Sequence, residues 1–340
     1  MFITKITGLR ARQVPLTAPA GTDSPVLGHY MNVIGIIMSS GKASVDVALY
    51  TLLPIMVVML VIMRFLEAKG IVDALVRWMA PILKPFGLTG MSTFALIQLN
   101  FVSFAAPLAT LSIMEKRGVS DRHMAATLAM VFAMGQGNVF YPLTPFGLHW
   151  AAAIVISIIG GLAAAALTYH VLGRKLSALE SGRSGDVSAE EPAARGVIGI
   201  INSAGADAIR LALGSVPMLI LSMTIVGILE SAGAVTALER FFSPLLASAN
   251  ISPVFVMPTL VKCLAGGTAY FGVVSDLIQQ GKMTASQINA SAGLLIQTFD
   301  LPGIGIFLGV GSRFTRLFRY AALGALFGIL IRAVLHVAVF

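Results

Sequence analysis

The sequence contains a single cysteine, Cys263, which excludes an intrachain disulfide bond and any metal site built from several cysteines. Charged residues are also scarce: they make up 11% of the chain, whereas soluble domains have about 25%. Hydrophobic residues account for 57%, and the mean hydropathy is +0.89. This composition is typical of a polytopic membrane protein, whose surroundings are the lipid bilayer.

Motifs of enzymes and metal sites are missing as well. The five histidines are scattered without ligand spacing. The segment from Gly35 to Lys42 lacks the spacing of a phosphate-binding loop. No nucleophile stands with a base in a recognisable pattern. We therefore expect no enzyme, no metal site and no resident cofactor.

The chain is basic, with a net charge of +8. In a membrane protein, Lys and Arg collect in cytoplasmic loops, so this charge indicates topology and not a nucleic-acid partner. Residues 1–21 have no apolar run of signal-peptide length. We expect membrane insertion to depend on the spans themselves.

The chain is a duplication. Many residues recur at an offset of 163, among them Pro54 and Pro217, Glu67 and Glu230, Gly70 and Gly233, and Gly118 and Gly281. A slip of one residue aligns the segment 33–41 with 197–205. We therefore divide the chain into an N-terminal tail (1–25), a first repeat (26–172), a polar linker (173–195) and a second repeat (196–340).

Each repeat has the same order of elements. A short apolar segment is followed by a span, at 46–66 and at 208–230. An amphipathic helix after Gly70 has its apolar residues on one face, which is typical of a helix lying at the membrane interface. An interrupted apolar segment, a broken span and a final span complete the repeat. Residues 26–41 either cross the membrane as well or form a short surface helix, and their match to 197–205 favours the surface helix.

The interrupted segments, 90–117 and 253–282, are each either one span with polar interruptions or a re-entrant hairpin. Hairpins give three crossings per repeat and invert the second copy, which places most Lys and Arg on one side and leaves few, Arg332 included, on the other. Full crossings divide the same charges almost evenly. The positive-inside rule favours hairpins, although the basic N-terminal tail then falls on the sparse side.

The sequence thus predicts an all-α polytopic membrane protein of six spans, built from two inverted repeats. Each repeat has an interfacial helix, a re-entrant hairpin and a broken transmembrane helix. We expect the basic loops and the central linker to be cytoplasmic and the protein to lie in a bacterial inner (plasma) membrane.

The broken span of the second repeat contains the first candidate for function. Its middle, residues 297–303, includes Gln297, Thr298, Asp300 and Pro302, and such a break is tolerated only where protein or a water-filled cavity satisfies the backbone. An ionisable group inside a membrane indicates function, so Asp300 is a candidate for coupling to Na⁺ or H⁺. The alternative is that Asp300 only caps the helix beside Pro302.

Uncharged polar residues mark the equivalent region of the first repeat and one hairpin tip. Gln136 and Asn138 either bind the polar edge of a ligand or hydrogen-bond between helices. Asn100 and Ser103 lie near the first hairpin tip, where a half-helix end would offer donors to a polar ligand.

The second hairpin has a polar tip as well. Thr268 follows two glycines, 266 and 267, which alternatively serve close helix packing. Lys262 either snorkels, pairs with Asp300 or meets an anionic substrate, and its depth in the hairpin favours the last two. The duplicated glutamates Glu67 and Glu230 are more consistent with structural anchors.

The order of these elements resembles the Gate or nucleoside-recognition membrane family, which includes the spore maturation proteins A and B and is related to the concentrative nucleoside transporters. The resemblance is carried by residues 87–90, Asn100, the Ala-Pro-Leu at 106–108 and Val-Ser-Asp at 119–121. In the second repeat, it is carried by segments 262–269, 297–300 and 309–319. At 102–105 this chain has Val-Ser-Phe-Ala, where the transporters normally have Gly-Gln-Thr-Glu.

From these patterns, we expect a secondary transporter of a small polar solute, nucleoside-like or related, driven by Na⁺ or H⁺. The site would lie at the midplane, between the hairpin tips and the broken helices. The alternative is a non-transporting membrane scaffold or partner subunit, since Gate-type proteins also act in assemblies. A homo-oligomer is compatible with either function.

Overall fold

A computed structural model describes residues 25–101, 107–179, 196–234, 236–238, 240–241, 252–308 and 311–340. These residues form helices and turns and contain no β-strand. The helices of the first half are α1 (Pro25–Asp46), α2 (Leu53–Ala68), α3 (Ile71–Leu83), α4 (Gly90–Phe101), α5 (Pro107–Lys116), α6 (Asp121–Ala133), α7 (Gly137–Leu143) and α8 (Trp150–Leu167). Those of the second half are α9 (Val197–Ser231), α10 (Val256–Ala265), α11 (Gly267–Gln279), α12 (Ala285–Leu295), α13 (Leu301–Leu308) and α14 (Ser312–Val339).

Four helical segments in the described part of the chain are long and apolar enough to cross a membrane, namely Val33–Tyr50, Trp150–Leu172, Val197–Leu229 and Ser312–Val339. Two further passages consist of half-helices, α6 with α7 and α12 with α13, each pair interrupted by a few residues. The prediction of an all-helical polytopic membrane protein is confirmed.

The first helices of the two halves pack against each other in opposite directions. The Ser44 hydroxyl donates to the Met223 sulfur at 3.3 Å, and Arg64 donates to Asp207 at 2.9 Å. Later residues along α1 and α2 therefore contact earlier residues of α9, so the helices run in opposite directions. This antiparallel packing supports the predicted inversion of the second repeat.

Of the two alternatives for residues 26–41, the short surface helix is wrong, because this segment is part of a longer apolar helix. Helix α1 continues through a π-helical turn, Val47–Leu52, into α2, and the matching segment of the second half is the continuous helix α9. No proline lies between residues 26 and 53. Gly41 in the middle costs only about 1 kcal/mol, and beside it Ser40 and Ser44 are buried, Ser44 against Met223 of α9.

Both interrupted segments are hairpins, so the alternative of single spans is wrong. In the first hairpin, the Thr110 hydroxyl on α5 donates to the Gln98 side chain on α4 at 2.7 Å. In the second, buried Met257 of α10 clusters with Val273 of α11. Those two residues would lie about 24 Å apart along one straight helix. The first tip, residues 102–106, lies outside the described residues.

Three basic loops meet at one end of the molecule. Asp121 accepts from Arg313 at 2.7 Å and from Arg316 at 3.3 Å, and the Arg122 amide donates to the Ser177 carbonyl at 3.2 Å. This clustering agrees with the predicted topology, in which most Lys and Arg lie on one side of the membrane.

The opposite end is formed by different segments. The His149 amide donates to Asn289 at 2.8 Å, and Ser286 bonds the Phe340 carbonyl at 3.4 Å. Helix α6 therefore begins at the basic end and α12 at the other. The two broken helices enter from opposite ends and meet in the middle.

Glycines matched by the duplication have the same backbone conformation. Gly70 and Gly233 have φ values of 68° and 71°, and Gly118 and Gly281 have 71° and 69°. Glycine adopts this left-handed conformation without the steric cost that other residues incur. The repeat is thus preserved in the turns as well as in the sequence.

Aromatic packing ties the second break to the first. The ring of Phe132 on α6 meets Phe299 and Phe307 edge to face, both at 5.5 Å, and Phe318 of α14 at 6.0 Å. Edge-to-face pairs contribute about 0.5–1.5 kcal/mol each beyond the area they bury. The largest core cluster thus lies beside the two breaks and holds them in place.

Candidate functional site

The break between α6 and α7 depends on glycine. Met134 and Gln136 have extended backbones, with ψ values of 153° and 133°, which ends α6. A Cβ added to Gly137 would collide with the main-chain carbonyl of Asn100, and one added to Gly135 would collide with the ring of Phe140. The backbone of the break therefore approaches the first hairpin more closely than any other residue would allow.

The break between α12 and α13 is closed by Asp300. One carboxylate oxygen accepts from the Gly303 amide at 2.8 Å, which caps the start of α13. Pro302 lies in the first turn of α13, where a backbone N–H would have no partner within the helix, so its missing N–H costs no hydrogen bond. The capping role weighed for Asp300 in the sequence is present in the structure.

The two breaks are hydrogen-bonded to each other. The Thr298 amide donates to the Phe132 carbonyl at 3.2 Å, and its hydroxyl donates to the Met134 carbonyl at 3.2 Å. The Gln136 side chain donates to the Gln297 carbonyl at 3.0 Å. Two half-helix ends from opposite directions thus form one polar centre in the interior.

The tip of the second hairpin touches both breaks. Gly266 has φ 89° and ψ −175°, and a Cβ there would lie 3.5 Å from Pro302 and 3.7 Å from each Asp300 oxygen. A Cβ on Gly267 would lie 3.0 Å from the Gln136 side-chain oxygen. The two glycines let the backbone of the tip reach the polar centre.

Lys262 on α10 forms an ion pair with Asp300. The lysine is fully buried and the aspartate is 4% exposed. Of the alternatives open for Lys262, the structure shows the pair. Each charge needs the other here, because removing one partner of a buried pair leaves an uncompensated charge.

Four amide oxygens at the site have no hydrogen-bond partner within the described residues. They belong to Asn100, Gln136, Asn138 and Gln297. The amide nitrogen of Asn100 donates to the Leu96 carbonyl at 2.8 Å, and that of Gln136 is also engaged, so their oxygens point elsewhere. A buried unpaired acceptor costs about 1–3 kcal/mol, so a ligand or ion that offers donors or positive charge would fit these groups.

A small cavity opens beside Asn138. Its volume is about 10 Å³, and its other lining residues are Met56, Met59, Leu60, Phe101, Gly137 and Tyr141. Ligand pockets usually have about 300–1,000 Å³. This cavity is smaller than a typical ligand pocket, and the site is closed in this structure.

The predicted site residues are therefore distributed unevenly around the centre. The contacts described above bring together Gln136, Lys262, Gln297, Thr298 and Asp300, and Asn100 reaches the first break through its main chain. Asn138 follows the break into the cavity, and Thr268 is partly buried one residue beyond the hairpin tip. Ser103 and the side chains of Glu67 and Glu230 lie outside what the structure describes.

Sequence reasoning missed Arg332. The charge count placed it on the side of the membrane with few Lys and Arg, whereas its side chain is fully buried in α14. The guanidinium donates to the Ala133 carbonyl at 2.5 Å and to the Ile296 carbonyl at 2.5 Å. The signal was present: Arg332 is the one charged residue in the apolar stretch 320–340. Such a residue inside a span usually faces the bundle interior.

Comparison with protein families gives a match to part of the chain. Residues 49–137 match the Gate family, which is described as nucleoside recognition. The matched part extends from the π-helical turn through the first hairpin to the first break. No curated protein matches the sequence significantly.

Solved structures of the concentrative nucleoside transporter CNTnw are similar to the whole chain. The inward-facing, substrate-bound state has a TM-score of 0.61 at 14% identity and covers 92% of this chain and 85% of CNTnw. A doubly substituted CNTnw in an outward-facing state has a TM-score of 0.63 at 15% identity, with 93% and 87% covered. Another variant in an intermediate state has 0.60 at 16% identity, with 93% and 87% covered. The chain has the fold of a nucleoside-transporter-like membrane protein.

Proposed function

We propose that this membrane protein is a secondary transporter of a small polar solute, nucleoside-like or related. The observation that carries the proposal is the meeting of two broken helices and a hairpin tip around buried polar groups. Broken helices whose half-helix ends face a midplane site are the usual architecture of solute sites in secondary transporters. The Gate match and the CNTnw fold support the same class of function.

The solute would be held by the uncharged polar residues. The free oxygens of Gln136 and Gln297 are positioned to accept from its N–H or O–H groups, and Asn100 and Asn138 extend the same acceptor surface. Thr298 and Thr268 would add hydroxyl groups to this surface, and Ser103 remains a candidate from the sequence. Lys262 would orient the solute from the hairpin.

Asp300 would couple the solute to Na⁺ or H⁺. Its carboxylate is neutralised by Lys262, so an ion or proton that reaches Asp300 competes with that ammonium. The competition would release Lys262 and the hairpin tip from α13. This gives the coupling step a structural consequence, since the tip covers the polar centre.

The membrane setting completes the proposal. We place the basic end and the linker 173–195 in the cytoplasm of a bacterial cell, the protein in its inner membrane, and the repeat boundaries at 26–172 and 196–340. The meeting of Asp121, Arg313 and Arg316 at one end supports this orientation under the positive-inside rule.

A thermal-shift screen tests the proposal. Purified protein is melted with nucleosides, nucleobases, amino acids and lipid head groups, because a ligand that binds the folded state raises the melting temperature. A hit should be lost in Gln297→Leu and kept in Gln280→Leu, an exposed glutamine bonded only to Asp276 in the described contacts. The hit should then be taken up by proteoliposomes under a Na⁺ or H⁺ gradient. If no solute raises the melting temperature and none is taken up by proteoliposomes, the transporter proposal is contradicted.

One observation favours the alternative of a non-transporting scaffold. Lys262 and Asp300 satisfy each other, and the buried site residues are at most 8% exposed. Under that alternative, neutralising both charges together would leave every solute response and the assembly unchanged. Loss of gradient-driven solute uptake in the double variant would exclude it.

A further inference from the structure

Arg332 contacts three main-chain carbonyls on two helices. One terminal nitrogen donates to Ala133 at 2.5 Å, and the other donates to Ile296 at 2.5 Å and to Ala292 at 3.3 Å. Ala133 is the last residue of α6, and Ile296 directly follows α12. One guanidinium thus bridges the C-terminal ends of both broken half-helices.

Those ends attract positive charge. The last carbonyls of a helix have no partner within the helix, and the helix dipole gives them partial negative charge. In a membrane interior, water is not at hand to satisfy them. The planar fork of an arginine offers several donors at fixed angles, so it can serve two helix ends at once.

The neighbouring helices leave room for this side chain. A Cβ added to Gly160 of α8 would collide with the aliphatic part of Arg332, and one added to Gly293 of α12 would collide with its main chain. Gly160 therefore leaves room for the arginine side chain, whereas Gly293 lets the backbones of α12 and α14 approach each other closely.

No acidic side chain compensates the charge within the described part of the chain. The ion pairs found there involve Arg64, Lys262, Arg313 and Arg316 and exclude Arg332. Its charge is balanced by main-chain carbonyls alone. A residue that only filled space in an apolar helix would not require a charge at this depth.

We propose that Arg332 is a positioning residue, a tethered cation that clamps the two breaks together and so sets the geometry of the candidate site. Gln136, Gln297 and Asp300 all follow the clamped ends within four residues. What the site binds rests on the proposed function, whereas the clamp itself does not.

Hydrogen exchange measured by mass spectrometry tests the clamp. In Arg332→Met, the amides of segments 130–138 and 292–301 should exchange together about tenfold faster or more, because three charged hydrogen bonds are lost. Segments in α1, α2 and α9 should be unaffected. The control is Arg319→Met, a substitution on the same helix, since Arg319 is exposed and bonds its neighbour Tyr320.

Rescue by a free cation distinguishes the charge from packing. Arg332→Ala should regain slow exchange in both segments with millimolar guanidinium chloride, but not with equal urea or NaCl. Arg332→Lys, which keeps the charge but not the fork, should exchange at an intermediate rate in both segments. If Met and Ala variants cannot be purified, the Lys variant decides: exchange equal to Arg319→Met overturns the clamp.

The solute readout separates this inference from the proposed function. For a solute found in the screen, Arg332→Lys should weaken the affinity of the protein for that solute about tenfold or more, although residue 332 does not contact the solute. Wild-type exchange in both segments of Arg332→Met would overturn the clamp, whatever the solute result. Faster exchange in a protein that binds no solute would leave the clamp standing and contradict only the transporter proposal.

Discussion

Lys262 and Asp300 form an ion pair from which solvent is excluded, with side-chain exposures of 0% and 3%. The lysine lies on the first arm of a hairpin and the aspartate caps the second half of a broken helix. A single contact therefore fastens the hairpin tip to the break. This pair is the first target for substitution.

Neutralising one member of the pair should destabilise the protein strongly. Lys262→Met or Asp300→Asn alone should cost about 3–5 kcal/mol, because the remaining charge is buried without a partner. The double variant should recover most of the loss, as melting temperatures in detergent will report.

The matched control is the half-exposed pair of Arg64 and Asp207, with side-chain exposures of 34% and 41%. Neutralising Asp207 should cost at most about 1 kcal/mol. Equal losses at the two pairs would mean that Lys262 and Asp300 are solvated in the working protein.

Coupling should depend on Asp300 beyond its role in stability. The variant Lys262→Met/Asp300→Asn removes both charges and should fold, yet lose gradient-driven uptake of an identified solute while keeping exchange. The reason is that no carboxylate remains for the ion or proton. Uptake that still follows the gradient in proteoliposomes would reduce Asp300 to a helix cap.

Gly266→Ala should damage the hairpin tip. The glycine has φ 89° and ψ −175°, a region open almost only to glycine, so alanine should cost about 1–3 kcal/mol. It should also weaken solute binding, because the tip can no longer approach Asp300. Gly305→Ala is the control, as a Cβ on that helical residue meets nothing within 4 Å. Similar melting curves for the two variants would show that the tip relaxes without cost.

The duplicated turns should respond alike. Gly70→Ala and Gly233→Ala should each lower stability by about 1–2 kcal/mol, since both glycines are left-handed and both have free space around the Cβ. Gly41→Ala and Gly205→Ala, also matched by the repeat but helical, should be neutral or stabilising. Unequal losses at 70 and 233 would show that the two halves no longer share this turn.

Surface labelling will test orientation. In a Cys263→Ala background, cysteines introduced at Ser184 and Thr315 should react with an impermeant maleimide only from the cytoplasmic face. Thr315 lies between two arginines of the basic end. Reaction of the two sites from opposite faces would be incompatible with three crossings per repeat.

Features that local chemistry determines could be predicted from the sequence. Residues 297–303 had to break a span, because an aspartate, a proline and a glycine fall together, and the pairing of Lys262 with Asp300 was among the options weighed. The hairpins were predicted by charge counting. These features depend on composition and spacing, which a single chain displays.

The missed features depend on contacts between distant segments. The continuity of α1 with α2 arises from packing against α9, about 160 residues away in the chain. To predict the burial of Arg332, one must know that Gly160 and Gly293 lie next to it in the folded protein. Asn100 was predicted through its side chain, whereas its main-chain carbonyl approaches Gly137.

The enclosed charges also determine how the protein responds to membrane potential. Lys262, Asp300 and Arg332 are the charged residues buried among those described, and their charges of +1, −1 and +1 sum to +1. One net charge that crosses the field gains or loses about 2.3 kcal/mol per 100 mV. The Lys262–Asp300 pair carries no net charge, so among the described buried residues Arg332 provides the net charge that responds to the potential. A potential that is negative inside pulls this centre toward the cytoplasm.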